Sequence, residues 1–166
     1  MSSKPRHPPQ LSFRLNAGVP DPAARWHDGA TIRFLGRDLS LHLGTLGKIP
    51  KQEGDTLHLP LPPEAGARQI QDSAEAWLRS QGQELLRELI AQESALAGRR
   101  APRLLLSFAA QGHWVDVTDA ATLRCNWRLI EQAPDTIAQV IKRALTQAAM
   151  LEQQSAGNDL FGAQTA

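Results

Sequence analysis

The chain has 166 residues, 42% of them hydrophobic and 21% charged, with 18 Lys and Arg against 17 Asp and Glu for a formal net charge of +1. That length suits one domain with a sizeable core, and the near-neutral balance supplies no general field for nucleic acid or an anionic membrane. Cys125 is the only cysteine, which excludes an internal disulfide and a cysteine-based zinc site. Pro8 and Pro9 stand where a signal peptide needs an apolar run, and no stretch approaches the roughly twenty apolar residues of a membrane helix. A cytoplasmic protein without membrane contact is the expectation.

Residues 1–25 are rich in Pro, Ser, Ala and Gly and read as a mobile arm, in which Leu11, Phe13 and Leu15 alternate like one short strand. Thr31 to Gly36 and Asp38 to Leu43 then predict a hairpin. Ile32 and Phe34 alternate with polar neighbours, as do Leu39, Leu41 and Leu43, and Gly36-Arg37 is read as the turn. Gly44 to Gly54 reads as a loop. Thr56 to Leu61 is another alternating strand, ended by Pro62-Pro63.

A long helix is expected from Pro63 or Glu64 to Ala97. Its stripe includes Ile70, Ala74, Trp77, Leu78, Leu85, Leu89 and Leu96, widened by Leu86 and Ile90; Gly82 falls on the polar side and Gly98 is a stop. Arg103 to Phe108, His113 to Val117 and Thr122 to Ile130 read as three more strands. A second helix runs from Pro134-Asp135 to about Gln153, with Ile137, Val140, Ile141, Ala144, Leu145, Ala148 and Leu151 on its apolar face. Residues 155–166 are read as a flexible tail. Within it Asp159-Leu160-Phe161 faintly resembles bacterial sliding-clamp ligands, beside the plainer reading of a tail folded onto the domain. The order of strands, helix, strands, helix makes an α+β domain over residues 26–154, with two main helices packed on one small sheet.

Chemistry is sparse. No two of His7, His27, His42, His58 and His113 have the three-to-five-residue spacing that turns both toward one metal on a helix. His42 and His58 fall at outward positions of strands and read as exposed residues. His113, beside Trp114, is expected to hold a structural hydrogen bond. Cys125 reads as a buried, inert thiol. No serine has a glycine-flanked elbow, and Gly44 to Lys48 lacks the spacing of a phosphate loop. Glu84 and Glu88 interleave with Arg87 as a solvated helix face, and Asp116 and Asp119 flank a turn, where Asp bonds locally.

Four stretches carry a resemblance. They are Asp28-Gly29 with Phe34-Leu35-Gly36-Arg37 in the hairpin; Leu57-His58-Leu59-Pro60-Leu61 with Trp77-Leu78-Arg79; Asn126-Trp127-Arg128-Leu129-Ile130 followed by Ala133-Pro134; and the helix Ile137 to Leu151. Residues 26 to about 153 thereby resemble the YgjP-like family of zinc-dependent hydrolases, relatives of the gluzincin and SprT-like metallopeptidases. The resemblance implies a zincin-like fold, a small mixed sheet with the catalytic helix lying beneath the Trp114 and Cys125 strands.

It also implies where zinc would sit. The family's helix carries H-E-x-x-H, two ligands four apart with a general base between them. In that register this chain has Arg143 and Gln147 for the ligands and Ala144 for the base; a third family histidine maps near Gln153 or Gln154. Arg is a cation at any relevant pH, Gln is a poor neutral ligand and Ala cannot accept a proton. The expectation is therefore a degenerate member with no metal, no cofactor and no catalytic residue, a pseudoenzyme binding a protein or an extended peptide by strand addition. Trp114, Lys142, Arg143 and Gln147 would line the old site, against the plainer reading that Arg143 fills it with an internal ion pair. Trp127 and Leu129 read as core. Two other readings stand beside this one. The first is an active metal-dependent hydrolase using an unrecognised site. The second is nucleic-acid association through Arg99, Arg100, Arg103 and the basic arm, disfavoured by the net charge.

Overall fold

The structure, a computed structural model, describes residues 21–44 and 46–161. Most of the arm read over residues 1–25 and the last five residues lie outside that range. The described part of the arm forms a one-turn helix, α1 (Pro22–Arg25).

Strands β1 (Thr31–Phe34) and β2 (Arg37–Leu43) pair antiparallel around the two-residue turn Leu35-Gly36, one residue earlier than the pattern suggested. Both turn residues have positive φ, 49° and 76°, the mirror-image turn whose twist matches that of the strands. Leu35 holds this conformation because its N–H donates to the Ile130 carbonyl at 2.8 Å and its side chain packs against both apolar cores. β4 (Thr56–Leu59) runs parallel to β2, and β3 (Lys51–Glu53) pairs antiparallel with β4, giving the order β1-β2-β4-β3. β3 lies inside the expected loop. As a sheet-edge strand of Lys51, Gln52 and Glu53 it buries no apolar face, so no period-two signal exists.

Helix α2 (Ala67–Leu96) is about 45 Å long at 1.5 Å per residue. Its buried residues are Ile70, Ala74, Leu78, Gly82, Leu86, Ile90 and Ser94, one every fourth position. In a helix of 3.6 residues per turn, each such step rotates the stripe by roughly 40°. The buried face therefore winds around the helix. Ile70, Ala74 and Leu78 enter a first core with β1, β2 and β4, whereas Leu86 and Ile90 enter a second with β7 and α3. Gly82, read as part of the polar side, is buried against Ile130, with an ideal Cβ 3.4 Å from the Ile130 Cβ. Leu96, read as part of the stripe, is exposed.

The remaining strands form a second sheet rather than extending the first. β5 (Arg103–Ser107) runs parallel to β7 (Thr122–Asn126), and β6 (Val115–Asp119) pairs antiparallel with the other side of β7. The strand expected to run to Ile130 stops at Asn126, and residues Trp127–Glu131 form a 3-10 helix. The stop is chemical: the Asn126 side-chain oxygen accepts the Arg128 N–H at 3.0 Å while its amide donates to the Ala109 carbonyl at 3.0 Å. α3 follows from Pro134 to Phe161, with Pro134 at its first position and Asp135 in its first turn. Residues 155–161, read as tail, continue this helix; apart from Leu160 and Phe161 they are small and polar, and they offer no stripe by which a pattern could find them. The result is an α+β domain of two mixed sheets served by two long helices.

Candidate functional site

The α3 positions singled out above are set by the 3-10 helix that precedes them. Trp127 is almost buried, with the Arg79 and Arg128 guanidiniums 5.7 and 4.8 Å from its ring centroid, a cation–π arrangement. Leu129 and Ile130 are fully buried. The hairpin tip bonds to the same segment, Leu35 to Ile130 and Gly36 to Glu131. Trp127 and Leu129 are therefore core residues, as their pattern implied, and they fix the start of α3.

Along α3, consecutive side chains point about 100° apart. Arg143 and Gln147, four apart, share an exposed face. Arg143 makes no ion pair with a described residue, so it does not plug a pocket in the way an internal salt bridge would. Ala144 is 5% exposed and packs with Ile137, Ile141 and Ala148 in the second core. Lys142 points elsewhere: its ammonium lies 3.5 Å from Glu93 of α2, and it lines a cavity that includes neither Arg143, Gln147 nor Trp114. Trp114, 39% exposed, directly precedes edge strand β6, which packs on α3. Its carbonyl accepts the Asn126 N–H at 2.8 Å.

A zinc ion does not fit the α3 positions. In the register that the resemblance implies, Arg143 and Gln147 offer a guanidinium and a carboxamide and Ala144 a core methyl, and guanidinium repels a divalent cation. Among the described residues no three His, Cys, Asp or Glu side chains converge to hold a metal.

Other singled-out residues take ordinary places. Burial pushes the Cys125 thiol up to about 12, which removes the thiolate a nucleophile needs. Asp119 accepts the Ala121 N–H at 2.7 Å, the local turn bond expected of it, and Arg87 lies 3.8 Å from Glu84 on the solvated face. His113 is exposed and makes no side-chain hydrogen bond with a described residue, contrary to expectation. Arg99 pairs with Glu152 at 3.2 Å.

Sequence reasoning missed a juxtaposition across β2 and β4. Their parallel register sets His42 opposite His58, with the rings edge-to-face at 5.3 Å. Asp28 lies 3.7 Å from His42 and Glu53 lies 3.7 Å from His58. The Glu53 carboxyl is held below its ordinary range, first by a hydrogen bond from Lys51, then by the charges of Lys51 and His58. Only the strand order reveals this row, since the two histidines are 16 positions apart in sequence.

An α+β domain with an Asn-Trp-Arg strand exit feeding a long C-terminal helix is the class that fold and site define. The model of the YgjP-like family, described as a metallopeptidase domain, matches residues 12–142. The chain belongs to the YgjP-like family. The match starts earlier than the resemblance read from residues and ends at Lys142, one position before Arg143. No curated protein and no solved structure matches the chain. No described helix is long and apolar enough to cross a membrane.

Proposed function

We propose that this chain is a non-catalytic member of its family that binds a protein segment in extended form. Ala144 carries the reading. At the helical position where the family resemblance puts a general base, the chain has a methyl group packed among Ile137, Ile141 and Ala148. A carboxylate there would be a buried charge without a partner, a costly state. Arg143 and Gln147 beside it are exposed and free of metal-ligand chemistry.

Edge strand β6 supports the binding half of the proposal. Its outer edge has no strand partner among the described residues, and it rests on α3 with Trp114 at its start. A peptide adding to that edge gains main-chain hydrogen bonds, and Trp114, Arg143 and Gln147 are the side chains we assign to reading it. Lys142 drops out of this group because it engages Glu93. No cofactor enters the scheme.

The test joins metal analysis to peptide selection. Purified full-length protein is assayed for zinc and for a zinc-dependent rise in melting temperature. It is then panned against a randomised peptide library. The expected result is no stoichiometric zinc and selected peptides that lose affinity on Trp114→Ala. Stoichiometric zinc with a clear thermal shift, or peptide hydrolysis that a chelator stops, would restore the active-hydrolase reading instead.

A further inference from the structure

The end of α2, the β6–β7 turn and the middle of α3 enclose a half-open cavity of about 1060 Å³, as large as the upper range of small-molecule sites. Four cations line it, Arg99, Arg100, Arg103 and Lys142, against two acids, Glu93 and Glu152. The acids are taken: Glu152 accepts from Arg99 at 3.2 Å and Glu93 lies 3.5 Å from Lys142. Arg100 and Arg103 make no ion pair with a described residue. The cavity thus holds two guanidiniums in excess, and each is a planar fork of donors suited to an oxyanion.

A second, independent observation comes from Ser94. It lines the same cavity, is 3% exposed, and its hydroxyl is buried with no hydrogen-bond partner. A buried serine in a helix ordinarily bonds back to the carbonyl four residues earlier. An orphaned hydroxyl is destabilising unless something else satisfies it. Alanines form much of the remaining wall, with Ala121 on the turn and Ala149 on α3, beside the hydroxyls of Thr122 and Thr146.

We propose that this cavity binds an organic anion, a carboxylate, sulfonate or phosphate carried on a compact apolar or aromatic body. The anionic group sits on Arg100 and Arg103, the body lies along the alanine wall, and a polar atom on it bonds the Ser94 hydroxyl once that side chain rotates toward the cavity. Two surplus charges in a concavity suit a single small anion; a nucleic-acid backbone asks for a run of cations on an open face. This site is separate from the face of Arg143 and Gln147, so it stands or falls apart from the peptide-binding proposal.

Fluorescence titration of the full chain with 1-anilinonaphthalene-8-sulfonate, a sulfonate on an aromatic body, tests it. We expect saturable one-to-one binding that Arg100→Ala with Arg103→Ala weakens about tenfold or more, the scale of a lost charge-assisted hydrogen bond. Ala121→Trp, on an exposed turn, closes the mouth and removes binding while circular dichroism stays native. Ser94→Ala weakens the probe yet raises the melting temperature, because it deletes an unsatisfied group. Probe binding that ignores the arginine pair or Ala121→Trp would overturn the site. So would a Ser94→Ala variant with unchanged affinity, which would mean that the hydroxyl does not meet the bound anion.

Discussion

Gly36 and Ala133 meet across the domain: an ideal Cβ on Gly36 would stand 3.0 Å from the Ala133 Cα and 3.1 Å from its Cβ. The contact seats the tip of the β1–β2 hairpin on the start of α3. Gly36 also has a φ of 76°, where an L side chain is strained. Gly36→Ala should therefore cost about 2–3 kcal/mol, part from the left-handed backbone and part from the clash with main chain. Urea denaturation reads it directly. A variant within a few tenths of a kcal/mol of wild type would mean that the hairpin tip does not rest on α3.

Gly82 predicts the opposite sign. Its nearest neighbours to an added Cβ are side-chain atoms of Ile130 at 3.4 and 3.7 Å and the Trp127 carbonyl at 3.7 Å, ordinary van der Waals contact. Gly82→Ala gains helix propensity of about 0.8–1 kcal/mol, so thermal melts should show it neutral to stabilising by up to that amount. Gly82→Leu overfills the same contact and should lose about 1–3 kcal/mol.

Asn126 is 6% exposed and bonds at both ends of its amide, to the Arg128 N–H and the Ala109 carbonyl. Asn126→Asp keeps the acceptor but replaces the donor with a second acceptor facing a carbonyl. The loss should be about 2 kcal/mol or more at neutral pH, recovering partly in acid as the carboxyl protonates and donates again. A pH series of chemical denaturation midpoints, variant against wild type, gives the comparison.

Cys125 carries a pH signature. The folded thiol titrates near 12 through burial, against an ordinary 9.0. Its contribution to stability is therefore complete below pH 9 and is lost as pH rises from 9 toward 12. The slope is about 1.4 kcal/mol per pH unit at most, because only the unfolded chain ionises there. Cys125→Ala should lack that component. In native buffer a thiol reagent should react at the unfolding rate, and reaction on mixing would contradict the burial.

The exposed face of α3 offers a check on register. Arg143→His with Gln147→His places two imidazoles four apart on one turn of solvent-facing helix, a two-ligand chelate. The double variant should gain a zinc-dependent rise in melting temperature of about 2–4 °C, the scale of 1 kcal/mol in a chain of this size. Neither single variant should show it. Equal response from a single variant would mean that these two positions do not share a face.

Much of this domain is legible in local pattern. The β1–β2 hairpin, β4, both long helices and the inert burial of Cys125 follow from period and composition. So does the core role of Trp127 and Leu129, because apolar spacing reports which side of an element meets the core. The residue types at Arg143, Ala144 and Gln147 are likewise read directly, because residue type is what a sequence states outright.

What the tertiary structure alone decided concerns neighbours without a pattern. The every-fourth-residue stripe from Ile70 to Ser94 winds about the helix axis, so one helix divides its burial between two sheets and its ends face different partners. That division leaves Ser94 on the wall of a cavity that Arg100, Arg103 and Lys142 also line. The parallel pairing of β2 with β4 sets His42 against His58 in the same way. Local period is a property of a few consecutive residues, whereas these meetings depend on how distant segments close in space, and no short-range periodicity encodes that closure.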